Sequence, residues 1–144
     1  MKFILQILLV SFSFLSYAQE ITVNDINPYQ EIEGVIIYIG EGTFEKSSNN
    51  TQHVRYFFKF QNTTSKDILL KFNKELYYDG VCYKCESNSD EQQYSVLVKA
   101  NSIASYEEHP YDKVYSIFVK DNNNLIKKKL TDFKLKNIKI SKAR

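Results

Sequence analysis

The sequence predicts an all-β protein, an antiparallel sandwich of about seven or eight strands behind a helical export signal. Apolar and polar residues alternate with period two in run after run, the spacing of a half-buried strand. Phe and Tyr make up 15% of the chain, with no Trp, four Gly and two Pro, and this aromatic, β-branched composition favours strands over helices. No window sustains the i, i+3, i+4, i+7 stripe of an amphipathic helix, and Leu125–Leu130 has room for one turn at most.

Taken in order, the chain opens with Met1-Lys2, a short positive region. The run Phe3–Leu15 is apolar apart from Gln6, Ser11 and Ser13, and it ends in Ser16-Tyr17-Ala18. Small residues at Ser16 and Ala18 fit a signal-peptidase site, so cleavage is expected after Ala18, leaving Gln19 first. A spanning helix needs roughly 20 apolar residues; this run is shorter and soon meets Glu20, and no cysteine follows to carry a lipid. The expectation is a signal peptide over 1–18 and one domain over 19–144, secreted or periplasmic, with no membrane span after cleavage.

Strands are then expected at Glu31–Ile39, His53–Gln61, Asp67–Tyr78, Gln92–Lys99, Ser102–Glu107, Val114–Lys120 and Asp132–Ile140. Between the first two, Glu41–Gln52 reads as a long polar loop with Ser47-Ser48-Asn49-Asn50 at its tip. In His53–Gln61, Val54, Tyr56, Phe58 and Phe60 share one face, while His53, Arg55, Lys59 and Gln61 share the other with Phe57. Asn62-Thr63-Thr64-Ser65 is a polar turn signal. In Asp67–Tyr78 the core face is Ile68, Leu70, Phe72, Leu76 and Tyr78. Asp79-Gly80 suits the positive φ angles of a type I′ hairpin turn. In the last strand Phe133 and Leu135 are out of phase with Ile138 and Ile140, and a β-bulge near Asn137 would bring all four inward.

Two stretches carry a resemblance. Tyr115-Ser116-Ile117-Phe118-Val119-Lys120-Asp121-Asn122-Asn123 resembles the penultimate strand of fibronectin-type and other immunoglobulin-like sandwiches. Phe58-Lys59-Phe60-Gln61-Asn62-Thr63-Thr64-Ser65-Lys66-Asp67-Ile68 is similar to a strand hairpin of small bacterial immunoglobulin-like accessory domains. The third-strand tryptophan and the cysteine pair that bridges two sheets have no counterpart here. The resemblance implies a binding or scaffolding architecture and carries no active site, since fold alone does not specify function.

The formal charge of +2 gives no reason to expect nucleic acid. Its distribution says more. Glu20, Asp25, Glu31, Glu33, Glu41 and Glu45 fall in a segment without Lys or Arg, whereas Lys127, Lys128, Lys129, Lys134, Lys136, Lys139, Lys142 and Arg144 stand against Asp132 alone. One reading is a basic ribbon for an anionic surface or polymer. The plainer and preferred one pairs the first and last strands, with opposite charges across the ladder.

Cys82-Tyr83-Lys84-Cys85 is the most distinctive motif. Outside the cytoplasm two cysteines tend to pair. Positions three apart on an extended strand sit roughly 10 Å apart, and a disulfide needs Cα atoms within about 7 Å, so pairing requires a turn. A local staple is the expectation, with redox or copper handling as the alternative.

Glu107, Glu108, His109 and Tyr111 crowd one loop around Pro110, the preferred place for a binding contact. As chemistry they offer a carboxylate pair and a general base; as structure they are a solvated loop. Phe57, Tyr77, Tyr83 and Tyr106 fall on the more polar faces of their strands, where they either form an exposed aromatic patch or are covered by further packing. Asn49-Asn50-Thr51 and Asn62-Thr63-Thr64 match the glycosylation sequon. Catalytic signatures are lacking: there is no Gly-x-Ser-x-Gly, His-Glu-x-x-His, phosphate loop or calcium loop. The expected function is a non-enzymatic binding module for a protein or extracellular polymer, without cofactor or metal. The alternative is an immunity-type protein that neutralises a toxin.

Overall fold

The computed structural model describes residues 19–83, 85 and 92–143. The expected signal peptide therefore lies outside the described residues, as do Lys84 and Arg144. The described chain forms ten strands: β1 (Gln19–Val23), β2 (Asn27–Ile32), β3 (Val35–Lys46), β4 (Thr51–Asn62), β5 (Ile68–Tyr78), β6 (Val81–Tyr83), β7 (Tyr94–Val98), β8 (Ile103–Ser105), β9 (Ser116–Asp121) and β10 (Leu130–Lys142).

They make two antiparallel sheets, as a β-sandwich requires. In the first, the long hairpin β3–β4 is flanked end to end by β1 and β2 beside β3, and by β8 and β9 beside β4. In the second, β5 pairs with β10 on one side and with β6 and β7 on the other. The core between them is aromatic: Phe60 meets Phe72 at 5.5 Å, Phe58 meets Phe133 at 6.3 Å, and Phe72 stacks on Tyr94 at 5.7 Å between centroids.

Several sequence expectations hold. Asp79 and Gly80 have φ of 52° and 79°, the left-handed pair of a type I′ turn. The β5–β10 ladder shifts between Lys136 and Lys139, Asn137 has φ 52°, and Phe133, Leu135, Ile138 and Ile140 all pack against the core. Asn62 explains its turn: its side-chain Nδ2 donates to the carbonyls of Lys66, Val98 and Lys99, and its Oδ1 accepts from Thr64 N and Oγ1.

Other expectations are corrected. The strand read over Glu31–Ile39 is two, because Glu33 and Gly34 (φ 46° and 80°) reverse the chain between Ile32 and Val35. Together with β1 and β6, this raises the strand count above the expected number. The loop read over Glu41–Gln52 is mostly hairpin: Glu41 pairs with Tyr56 and Lys46 with Thr51, and only the Ser47–Asn50 tip leaves the ladder.

The first and last strands do not pair. β1 lies against β3 and β10 against β5, in different sheets. The ion pairs among the described residues, Lys59–Glu107, Lys99–Asp67 and Lys136–Glu75, leave the acidic and basic segments unjoined. The Glu33-Gly34 turn folds β2 back along β3 and β1 takes the rest of that edge, so the acidic segment lies in the first sheet and the basic β10 in the second. The segments meet instead through rings, Tyr29 stacking on Phe133 at 5.8 Å.

Candidate functional site

Lysines concentrate in two places, one on β10 and one in the turn that leads into it. The outer face of the second sheet is the first. Opposite the core-facing side chains, β5 presents Lys71, Asn73, Glu75 and Tyr77, and β10 presents Lys134, Lys136 and Lys139. Lys134 stands opposite Glu75 in the ladder and its ammonium lies 5.6 Å from the Tyr77 ring centroid. Lys136 ion-pairs with Glu75, and the Tyr77 hydroxyl donates to the same carboxylate. Those two bonds hold the Glu75 carboxyl below the ordinary carboxylate range, and the bond to Glu75 raises the Tyr77 phenol. Lys139 stands directly opposite Lys71. Neither has an acidic partner within 4.0 Å among the described residues, and like charges directly opposed on a ladder repel.

The second place is the β9–β10 connection, which carries Lys127, Lys128 and Lys129, all exposed. With Lys120, Asp121, Asn124 and Ile126 they line a cleft of about 350 Å³. Asp121 builds this turn. Its carboxylate accepts from the backbone N–H of Asn123, Leu125 and Ile126 at 3.1, 2.8 and 3.0 Å. Burial works to raise its pKa, but these N–H groups outweigh it and the carboxyl lies below its usual value.

The cysteines are joined, Cys82 to Cys85, with Cα atoms 5.8 Å apart. Cys82 closes its side of the turn on β6, opposite Tyr77. Ligand atoms of Glu75, Cys82 and Cys85 all lie within 4.8 Å of one another. Sequence reading left Glu75 out of this group, because only the β5–β6 register brings it there.

The Glu107–Asp112 loop is fastened at several points. Glu107 ion-pairs with Lys59 at 2.9 Å, which holds its carboxyl below the ordinary range. Glu108 is exposed, the His109 ring lies on Tyr115 at 5.7 Å, and Tyr111 meets the edge of Phe44 at 6.1 Å. The carboxylate pair and general base thus become a strap across the first sheet rather than a converging set.

Of the four aromatics, two are covered. Phe57 is 0% exposed beneath Tyr106, itself buried, with centroids 4.9 Å apart. Phe57 is therefore not a surface contact, because the strap folds back over its face. Tyr77 and Tyr83 remain at the surface of the second sheet, Tyr83 52% exposed and edge-on to Tyr78.

Lys74 was missed. It lies on the core-facing parity of β5 between Phe72 and Leu76, and that interruption of an apolar stripe was the available signal. Its ammonium donates to the carbonyls of Lys113, Val114 and Ser116 at 2.6, 3.0 and 3.1 Å, which pins the C-terminal end of the strap. Burial lowers its pKa to about 7, opposed by the Asp112 carboxylate.

Comparison with known proteins matches this chain to no family model, no curated protein and no solved structure.

Proposed function

We propose that the chain is an exported, non-catalytic binding module with an immunoglobulin-like sandwich, and that it engages an anionic protein or extracellular polymer. The Lys71–Lys139 pair carries this reading. Two cations opposed on a ladder, with no acidic partner within 4.0 Å of either among the described residues, are stabilised by an anion that bridges them. Lys134 and Lys136 extend the same basic face. A toxin with an acidic surface, as for an immunity-type protein, meets the same chemistry.

The test is retention on an immobilised polyanionic polysaccharide. The parent is expected to elute at higher salt than K71E/K139E, by the loss of two counterion-releasing contacts. Equal elution of the two overturns the reading. Capture of a toxin from extract, lost in the same variant, selects the immunity role.

A second reading rests on the Glu75–Cys82–Cys85 cluster. A dithiol reductant delivers two electrons to the disulfide and yields two thiols, whose protons a zinc or copper ion displaces. Glu75 then supplies a carboxylate oxygen beside the two sulfurs. Stoichiometric zinc uptake by the reduced protein, weakened in E75Q, supports it, and no uptake by fully reduced protein removes it.

A further inference from the structure

The β9–β10 turn carries two exposed aliphatic side chains beside a run of lysines. Leu125 is 83% exposed and Ile126 43%, and Lys127, Lys128 and Lys129 follow directly, with Lys120 across the cleft. Exposed aliphatic side chains are common singly, but here the backbone beneath them is held firmly. Asp121 accepts from three of its N–H groups, Asn122 N donates to Gln52 O at 3.0 Å, and Asn123 Nδ2 donates to Asn50 O at 2.6 Å. On the other side Asp79 N donates to Lys129 O at 2.9 Å, and Gly80 N to Thr131 Oγ1 at 3.1 Å. That fastening brings the Asp79-Gly80 turn alongside, with Val81 next to it, 71% exposed. The turn is thus braced from both sides while its aliphatic side chains point outward.

We infer that this turn docks the protein on an anionic phospholipid bilayer, Leu125 and Ile126 entering the acyl boundary while Lys120, Lys127, Lys128 and Lys129 meet lipid phosphates. The geometry favours a bilayer over a protein. Four lysines beside two exposed aliphatic side chains complement an anionic bilayer, whose phosphates take the cations and whose acyl boundary takes Leu125 and Ile126. Each lysine near an anionic surface adds roughly 1 kcal/mol of attraction. The two buried aliphatic side chains add a contribution that salt does not screen. Among the described residues, Asp121 is spent on the turn's own backbone and Asp79 accepts from Lys129 N at 3.4 Å, while Glu20 and Glu45 line the neighbouring pocket beside Asn123 and Asp132 is exposed at the start of β10. The contact uses residues separate from the Lys71–Lys139 pair, so it stands apart from the proposed polymer-binding face.

Residues 19–143 contain the whole described core. The species to assay is the chain from Gln19 onward, which also removes the Phe3–Leu15 run as a competing anchor. Co-sedimentation with phosphatidylglycerol vesicles and with phosphatidylcholine vesicles, at low and high salt, is the measurement. The parent is expected to bind the anionic vesicles at least about tenfold better and to keep a salt-resistant fraction. L125S/I126S should lose that fraction while its circular dichroism is unchanged. K127Q/K128Q/K129Q should lose the preference for anionic lipid, and K71E/K139E should lose neither. Soluble glycerophosphate that abolishes parent binding at millimolar concentration, equal binding to both vesicle types, or parent-like binding by L125S/I126S each overturns the inference.

Discussion

The Lys74 ammonium lies 4.4 Å from the centroid of the Tyr94 ring. Phe58 and Phe72 complete an aromatic enclosure at 5.1 and 5.9 Å, while three carbonyls from residues 113–116 accept its hydrogen bonds. The side chain is 5% exposed, so the second sheet holds a fully bonded cation inside the core.

Folding stability should rise with pH because of Lys74. Its folded pKa is about 7, against 10.5 for an ordinary lysine. Between those values the unfolded chain binds the extra proton, so raising pH favours the fold. The contribution is complete above 10.5 and is lost as pH falls through about 7. Tyr94, Tyr78 and Tyr115 have phenols raised by burial, and they act oppositely above pH 10. Urea unfolding from pH 7 to about 9.5 should therefore show stability climbing by at most about 1.4 kcal/mol per pH unit. In K74M the climb should vanish; a parent curve that is flat over this window contradicts the assignment.

Asn62 is the most heavily bonded side chain of the first sheet. N62A removes the donor to three carbonyls and the acceptor for Thr64, leaving buried groups without partners. A loss of roughly 2–4 kcal/mol is expected in urea unfolding. N62D should be no better, since a carboxylate would face the carbonyls of Lys66, Val98 and Lys99. Stability within error of the parent for N62D would show that the carbonyls are satisfied in some other way.

Phe58 and Lys59 are neighbours with opposite fates. Phe58 is fully buried, and F58A should cost about 3–5 kcal/mol. Lys59 pairs with the exposed Glu107 carboxylate and lies 5.5 Å over the Tyr106 ring. K59A should cost no more than about 1 kcal/mol. Thermal and urea unfolding of the pair measure the contrast, and comparable losses would contradict the face assignment of β4.

What could be read from the chain alone was local. The period-two face of Val54, Tyr56, Phe58 and Phe60, the Asp79-Gly80 turn and the Asn137 bulge each depend on residues within a few positions of one another. The Glu33-Gly34 turn was hidden because Glu33 is not one of the Asn or Asp residues that mark a type I′ turn, and β2, exposed along nearly all its length, offers no alternation to break. Burial along β3 was hidden for another reason. Val35 and Ile37 are buried in its first half, but Gly40, Gly42 and Phe44 in its second, although the β3–β4 ladder has no shift. The covering comes from distant chain: Tyr111 against Phe44, and Val23 and Ile26 over Gly40. Of the site, the clustered lysines were legible as composition. The Lys71–Lys139 opposition and the approach of Glu75 to the cysteines depend on register.

Two glycines separate space from backbone conformation. A Cβ on Gly42 would collide with Thr22 O and lie 2.9 Å from Val23 Cα, main-chain atoms of β1 that cannot rotate away. Gly80 has φ +79°, and a Cβ there would meet nothing within 4 Å, so only its backbone conformation resists a side chain. G80A should cost about 1 kcal/mol, the penalty of a left-handed L-residue. G42A must push β1 off β3 and break the Val23–Gly42 end of that ladder. Amide exchange should show the difference directly: G42A accelerates exchange across Gln19–Val23 while β5 and β10 stay protected, and G80A leaves β1 unchanged. If G42A leaves β1 protection intact, the close approach of Thr22 to Gly42 does not exist in solution.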